Sequence, residues 1–194
     1  MINIKLLILD RDGTIGQKWG EHGDAEQGWQ PFPGALEAIA RLNHSGWHVV
    51  IAANQGGLGR GVYEMATLNA QQTRMHKLLA AVGGKIDATF FCPHAPDEGC
   101  ACRKPQPGLF EQIGERFGID LHGIPAVGDS GDDAIAAAAS GCEPHLVLTG
   151  QGVQYRDHAL LLSLPPGTRV HEDLAAFAQF LIDREVSTSS APAA

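Results

Sequence analysis

The segment Leu6-Leu7-Ile8-Leu9 runs without interruption into Asp10-Arg11-Asp12-Gly13-Thr14. A stretch that is apolar at every position, rather than at alternate ones, is suited to a strand covered on both faces, as in a parallel sheet. The pattern returns down the chain. Residues 4–9, 47–52, 86–92, 124–127 and 145–148 read as strands, with a weaker one near Arg169. Between them, residues 35–42, 65–82, 107–117, 132–139 and 173–182 carry the spacing of helices, the first opened by Pro33-Gly34. This alternation predicts an α/β fold, a doubly wound and mostly parallel sheet with helices on both faces, Rossmann-like in outline.

In such sheets the binding crevice lies at the carboxyl ends of the strands. Four loops fall there: "DRDGT" after the first strand, "ANQGGLGRG" after the second, "CPHAPDEGCACRKP" after the third and "GDSGDD" after the fourth. Nearly all the unusual chemistry of the chain is thereby gathered on one edge. The expected organisation is a single domain over residues 1–184, followed by a disordered tail over 185–194 that contains the small, polar string "STSSAPAA".

The net charge of −8, with no basic stripe to offset it, argues against a nucleic-acid partner. No apolar run approaches the roughly 18 residues of a membrane span, and the first residues lack the pattern of a secretory leader. A cytoplasmic protein, acting as a monomer with no membrane partner, is the expectation.

Asp10 and Asp12 stand at i and i+2 on a strand end, and Asp129 stands at another, with Asp132 and Asp133 just beyond it. Asp-Gly is also ordinary turn chemistry, and an acid in a first helical turn meets the macrodipole, so Asp132 and Asp133 admit both a structural and a functional reading. Strand-end acids converging in one crevice repel unless a cation joins them, and oxygen ligands favour a hard ion such as Mg²⁺. Lys104 supplies positive charge just before a helix, while Asn54, Gln55 and the glycines through Gly61 offer amide donors near a ligand. "GGLGRG" is a weak nucleotide fingerprint, since its spacing is wrong and no acidic partner follows it.

Three of the four cysteines cluster with a histidine, as Cys92, His94, Cys100 and Cys102, all within eleven residues. Three thiolates and an imidazole make a closed tetrahedral set suited to structural Zn²⁺, which would staple a loop without a core of its own and fix Arg103 and Lys104. Cys142 stands apart and is expected in the core.

The loops together resemble the haloacid dehalogenase-like phosphohydrolases, whose four motifs are matched in order by "DRDGT", "ANQ", "RKP" and "GDSGDD" over residues 6–140. The resemblance implies that Asp10 is a nucleophile forming a phosphoaspartate and that Asp12 protonates the leaving oxygen, then activates water. It places Mg²⁺ on Asp10, the backbone carbonyl of Asp12 and Asp129, gives Lys104 the task of stabilising charge, and brings Ser130 to the site through its backbone. The family usually carries hydroxyls in its second motif, where this chain has Ala53 and Gly56. Phosphate is then left to Asn54, Gln55 and Gly56.

About forty residues separate Asp12 from Asn54 and about fifty separate Asn54 from Lys104, too few to add a large cap to a helix and a strand. The site is expected to be open, narrowed by the cysteine loop and by residues 16–31, which include Lys18, Trp19, Glu21 and His22. A zinc loop in a capless phosphatase resembles the branch acting on a small phosphosugar in lipopolysaccharide core biosynthesis. Arg103 and Arg60 would hold a second phosphate. An amino-alcohol monophosphate is the alternative substrate, which Glu21, Asp24 and Glu26 keep open. Ala53 and Gly56 motivate a non-catalytic phosphosugar-binding reading, and the intact Asp10, Asp12, Lys104 and Asp129 oppose it.

Overall fold

The computed structural model describes residues 4–18 and 28–189. Among the described residues, strands β1 (Leu6–Leu9), β2 (His48–Asn54), β3 (Ala88–Cys92), β4 (Pro125–Gly128), β5 (Glu143–Val147) and β6 (Arg169–His171) form a sheet. Its order is β3-β2-β1-β4-β5-β6 and every pairing is parallel. Six helices follow in the chain: α1 (Ala35–His44), α2 (Met65–Ala81), α3 (Gly108–Phe117), α4 (Gly131–Ala139), α5 (His158–Leu161) and α6 (Leu174–Ser189).

Alternate strand residues feed two separate cores, as the period of two in a strand requires. Leu7, Leu9, Val49, Ile51, Ala53 and Val127 pack with Ile39 and Leu42 of α1, Met75 and Leu79 of α2, and Phe177 and Leu181 of α6. Leu6, Ile8, Val50, Ala52 and Ala126 belong instead with Leu109, Phe110 and Ile113 of α3 and Ala136 and Ala137 of α4. Burial on both faces explains the uninterrupted apolar runs, each large side chain contributing about 1.5–3 kcal/mol. The sheet order reverses at β1, with β2 on one side and β4 on the other, so a crevice opens beyond their carboxyl ends.

The links from β1 to β2 and from β2 to β3 hold α1 and α2 respectively, and no cap domain is inserted among the described residues. Two stretches depart from expectation. Gly150–Arg156 forms a 3₁₀ helix and α5 follows it, where no regular element was predicted. Helix α6 continues to Ser189, past the expected end at 182 and into the segment expected to be disordered. Its last turns are held by ion pairs, Arg184 with Glu143 at 2.7 Å and Glu185 with Lys5 at 2.9 Å. Trp19, Glu21, His22, Asp24, Glu26 and residues 190–194 lie outside the described residues. No helix among those described is long and apolar enough to cross a membrane.

Candidate active site

Asp10 directly follows β1, and its backbone N–H donates to the Val127 carbonyl of β4 at 2.8 Å. Asp129 directly follows β4. The two carboxylates therefore meet where the strand order reverses. Between them the chain turns at Gly13, whose φ is +95° and where a Cβ would stand 1.8 Å from Asp129 Oδ2. No other residue fits that turn. The loop after β5 closes the corner: Thr149 Oγ1 donates to the Gly13 carbonyl at 2.6 Å, and the Gln151 N–H donates to Asp129 Oδ2 at 2.7 Å. Sequence reasoning missed this fifth loop. Its signal was "TGQG" at another strand's carboxyl end, on the same edge as the four loops that were singled out.

Lys104 is 3% exposed and uses all three ammonium protons, on Asp10 Oδ1 at 2.7 Å, Asp133 Oδ1 at 2.5 Å and the Ala52 carbonyl at 2.7 Å. Asp133 anchors Lys104 and closes a capping box at the start of α4, in which the Asp133 N–H donates to Ser130 Oγ at 3.4 Å and the Ser130 N–H donates to Asp133 Oδ2 at 3.1 Å. Asp132 is exposed at the rim of the crevice.

The Ser130 N–H donates to Asp133 Oδ2 at 3.1 Å. Asn54 gives one amide hydrogen to the Lys104 carbonyl and takes the Lys104 N–H on its own oxygen, both at 3.0 Å, which fixes the lysine loop. Gln55 is 2% exposed and gives one amide hydrogen to Asp12 Oδ2 at 2.8 Å. All three residues line the cavity, and each amide has a second hydrogen.

The missing hydroxyls also acquire a structural account. Ala53 is buried in the core beside β1, so its side chain packs rather than faces substrate. At Gly56 a Cβ would stand 2.9 Å from Arg103 Nη1 and 3.1 Å from the His94 carbonyl. The space of a side chain has been given to a guanidinium, which donates to that carbonyl at 3.4 Å.

Burial pushes the Asp10 carboxyl up to about 7, with Asp133 and Asp12 adding to it against the opposing Lys104. Burial and the neighbouring Asp10 push Asp129 up to about 8. Oxygens of Asp10, Asp129 and Asp133 lie within 4.8 Å of one another. Three carboxylates against one ammonium leave two negative charges, the deficit a divalent cation fills. The donor set is all oxygen and fits Mg²⁺; Asp10 and Asp129 would hold it by their side chains, since Asp133 has both oxygens engaged, by Lys104 and by Ser130.

Above the carboxylates lies a polar cavity of about 660 Å³, whose walls include Lys18, Arg60, Arg103, Asp132, Gln151, Gln154 and Tyr155. Arg60 is exposed at its mouth.

The second cluster starts at Cys92, the last residue of β3. Cys92 Sγ lies 3.5 Å from both His94 Nδ1 and Cys100 Sγ, His94 Nδ1 lies 3.3 Å from Cys102 Sγ, and Cys102 and Cys100 are 3.6 Å apart. A tetrahedral zinc with Zn–S of about 2.3 Å has edges of about 3.5–3.8 Å, so this set fits the ion without rearrangement. Burial and the neighbouring thiol of Cys102 push Cys92 up to about 12, so a cation is what would make it a thiolate. Cys142 packs in the α3–α4 core.

The HAD-hydrolase-like family matches residues 101–177. D-glycero-β-D-manno-heptose-1,7-bisphosphate 7-phosphatase of Bordetella bronchiseptica is 52% identical over 179 residues, covering 92% of this chain and 98% of the relative. The enzyme of that name from Pseudomonas aeruginosa is 48% identical over 177 residues, covering 91% and 97%. A crystal structure of the D,D-heptose 1,7-bisphosphate phosphatase from B. bronchiseptica, complexed with magnesium and phosphate, superimposes with a TM-score of 0.86 at 52% identity, over 93% of this chain and 99% of that one.

Proposed function

This chain belongs to the haloacid dehalogenase-like hydrolases, and we propose that it is a Mg²⁺-dependent phosphatase that removes the 7-phosphate of D-glycero-D-manno-heptose 1,7-bisphosphate. The observation that carries the reading is Asp10 bridged by buried Lys104 and facing Asp129 at the switch point of the sheet. Mg²⁺ held by Asp10, Asp129 and the Asp12 carbonyl would supply the charge that lets an anionic nucleophile approach an anionic ester.

Asp10 attacks phosphorus, the bond to the sugar O7 breaks with its electron pair going to that oxygen, and Asp12 gives O7 a proton. A water then attacks the phosphoaspartate, passes its proton to Asp12 and releases phosphate, restoring Asp10. Lys104 offsets charge on Asp10 through both steps, and Asn54 keeps Lys104 in place through its backbone. Arg103 lines the cavity from the zinc loop, with Arg60 and Lys18 at the wall, and these cations suit a substrate with a second phosphate. Zn²⁺ on Cys92, His94, Cys100 and Cys102 has a structural role, holding the loop that carries Arg103 and Lys104. The chain acts alone in the cytoplasm, supplying a precursor of the lipopolysaccharide core sugar.

The test is phosphate release with Mg²⁺ from heptose 1,7-bisphosphate and from histidinol phosphate at equal concentration. We expect kcat/KM for the bisphosphate to exceed the other by at least about 100-fold, the scale of a lost charged contact pair. A preference for histidinol phosphate overturns the substrate and keeps the chemistry. Release from neither, with Mg²⁺ bound, overturns the enzyme.

A further inference from the structure

Among the described residues, the carboxylate of Asp12 accepts three hydrogen bonds. Arg11 Nε reaches Oδ1 at 3.0 Å, Arg11 Nη2 reaches Oδ2 at 2.7 Å, and Gln55 Nε2 reaches Oδ2 at 2.8 Å. Gln55 is fixed in turn. Its Oε1 accepts from Tyr63 OH at 2.7 Å and from Arg11 Nη2 at 3.2 Å, and its backbone N–H donates to the Cys92 carbonyl at 2.7 Å. Tyr63 can come this close because residue 57 is glycine, where a Cβ would stand 2.2 Å from the ring.

Arg11 is 3% exposed. Burying a guanidinium is costly unless its carboxylate partner is held in good geometry, and here the partner is the next residue in the chain. An arginine serving only the fold would be more simply replaced by an apolar side chain. The arrangement is also asymmetric. Oδ2 carries two donors and Oδ1 carries one. Oδ2 is the more firmly anchored oxygen, and Oδ1 is the one held by a single contact.

The geometry points to Arg11, Gln55 and Tyr63 as positioning residues that aim Asp12 Oδ1 at the leaving-group oxygen, a role that rests on Asp12 being the acid. In the first step the Oδ1–H bond breaks as the P–O bond to the sugar breaks. The proton joins the electron pair on the sugar oxygen, and Asp12 is left as the carboxylate that Arg11 and Gln55 then hold by all three contacts.

Aim matters most where the leaving group is poor. A sugar alkoxide needs its proton in the transition state, whereas p-nitrophenolate leaves without one. The test is a rapid-quench measurement of the first phosphoryl transfer in the Mg²⁺-loaded full chain, with heptose 1,7-bisphosphate and with p-nitrophenyl phosphate. Arg11→Lys and Gln55→Ala should slow transfer from the sugar by about 100-fold and from the nitrophenyl ester by less than about threefold. Tyr63→Phe, which removes one hydroxyl, should slow only the sugar reaction, by about three- to tenfold. Equal losses on both esters, or no loss on either, overturn the positioning role. Asp12→Asn separates this from the reading beneath it. If Asp12→Asn shows no leaving-group dependence, Asp12 is not the acid. If it does while all three neighbours' variants do not, only the positioning role fails.

Discussion

Two clusters of like groups crowd the same edge of the sheet, and they settle the crowding differently. The oxygen cluster of Asp10, Asp129 and Asp133 is partly neutralised from within by Lys104, which spans two of its members. What remains is an open set of oxygens for a hard ion and a phosphate. Among the described residues the sulfur cluster of Cys92, Cys100 and Cys102 has no such internal cation, and with His94 it makes up a four-membered set suited to a closed tetrahedron. An open set can take part in chemistry; a closed one holds shape. The two are joined by the shortest of links, since Cys102, Arg103 and Lys104 are consecutive. A cysteine of the sulfur cluster, a guanidinium that lines the cavity and the ammonium at the carboxylates thus share one stretch of backbone, and Asn54 clasps it at Lys104.

The largest effect should come from the oxygen cluster. Asp10→Asn should lower kcat by at least about 10⁴-fold, as loss of a nucleophile does. The melting temperature should stay level or rise, because one member of a repelling set is gone. Calorimetry beside the phosphate-release assay checks both, and turnover within about tenfold of the parent would break the division between a reactive and a structural cluster.

Zinc removal probes the other side. Chelation, or Cys100→Ser, should lower the melting temperature by about 10 °C and raise KM for the bisphosphate as Arg103 loses its support. Mg²⁺ affinity, read by titration, should not move. If Mg²⁺ affinity falls in step with zinc content, the clusters form one unit and the distinction between them fails.

A third cluster, of stacked rings, sharpens the contrast and carries the smallest effect. His145 Nδ1 and His171 Nε2 are 3.0 Å apart and the rings stack at 5.2 Å, with Phe177 and Phe180 packed around them. Burial and the adjoining His171 push His145 down to about 3, and burial with nearby Arg169 pushes His171 down to about 4. Glu143 lies 3.8 Å from His145 Nε2, but Arg169 and Arg184 already engage it, so it does not hold a proton on the ring. Both rings are neutral in the folded state and take up protons on unfolding. Their contribution is complete above the ordinary histidine value of about 6.5 and is lost as pH falls toward 4 and then 3. By pH 5 the loss is up to about 2 kcal/mol for His145, and less for the partly exposed His171. Urea titrations at two pH values, for the parent and for His171→Phe, isolate the rings, since the carboxylates are common to both. An unchanged pH dependence in the variant would show that the pair is not what titrates.

The parts of this architecture legible in the sequence were those written in short-range pattern. Uniform apolar runs require burial on two faces, so the parallel sheet followed from them. The loops that matter sit at strand ends by the same rule, and the cysteines and histidine of the sulfur cluster fall close together in sequence. What stayed hidden depended on partners far along the chain. Gln55 and Asn54 look alike as amide donors, yet one serves Asp12 and the other the Lys104 backbone. The 3₁₀ segment after Thr149 has little periodicity of its own and is held through contacts such as that of Gln151 with Asp129.

Sequence by itself therefore determined the fold class, the crevice edge and the inventory of charges brought to it, because hydrophobic period and strand-end placement are local properties of the chain. Tertiary structure alone decided how those groups are spent. Whether an amide faces a ligand or a neighbour depends on which donors burial forces to find partners, and whether Gly56 leaves a gap or admits Arg103 depends on how the cysteine loop packs against it.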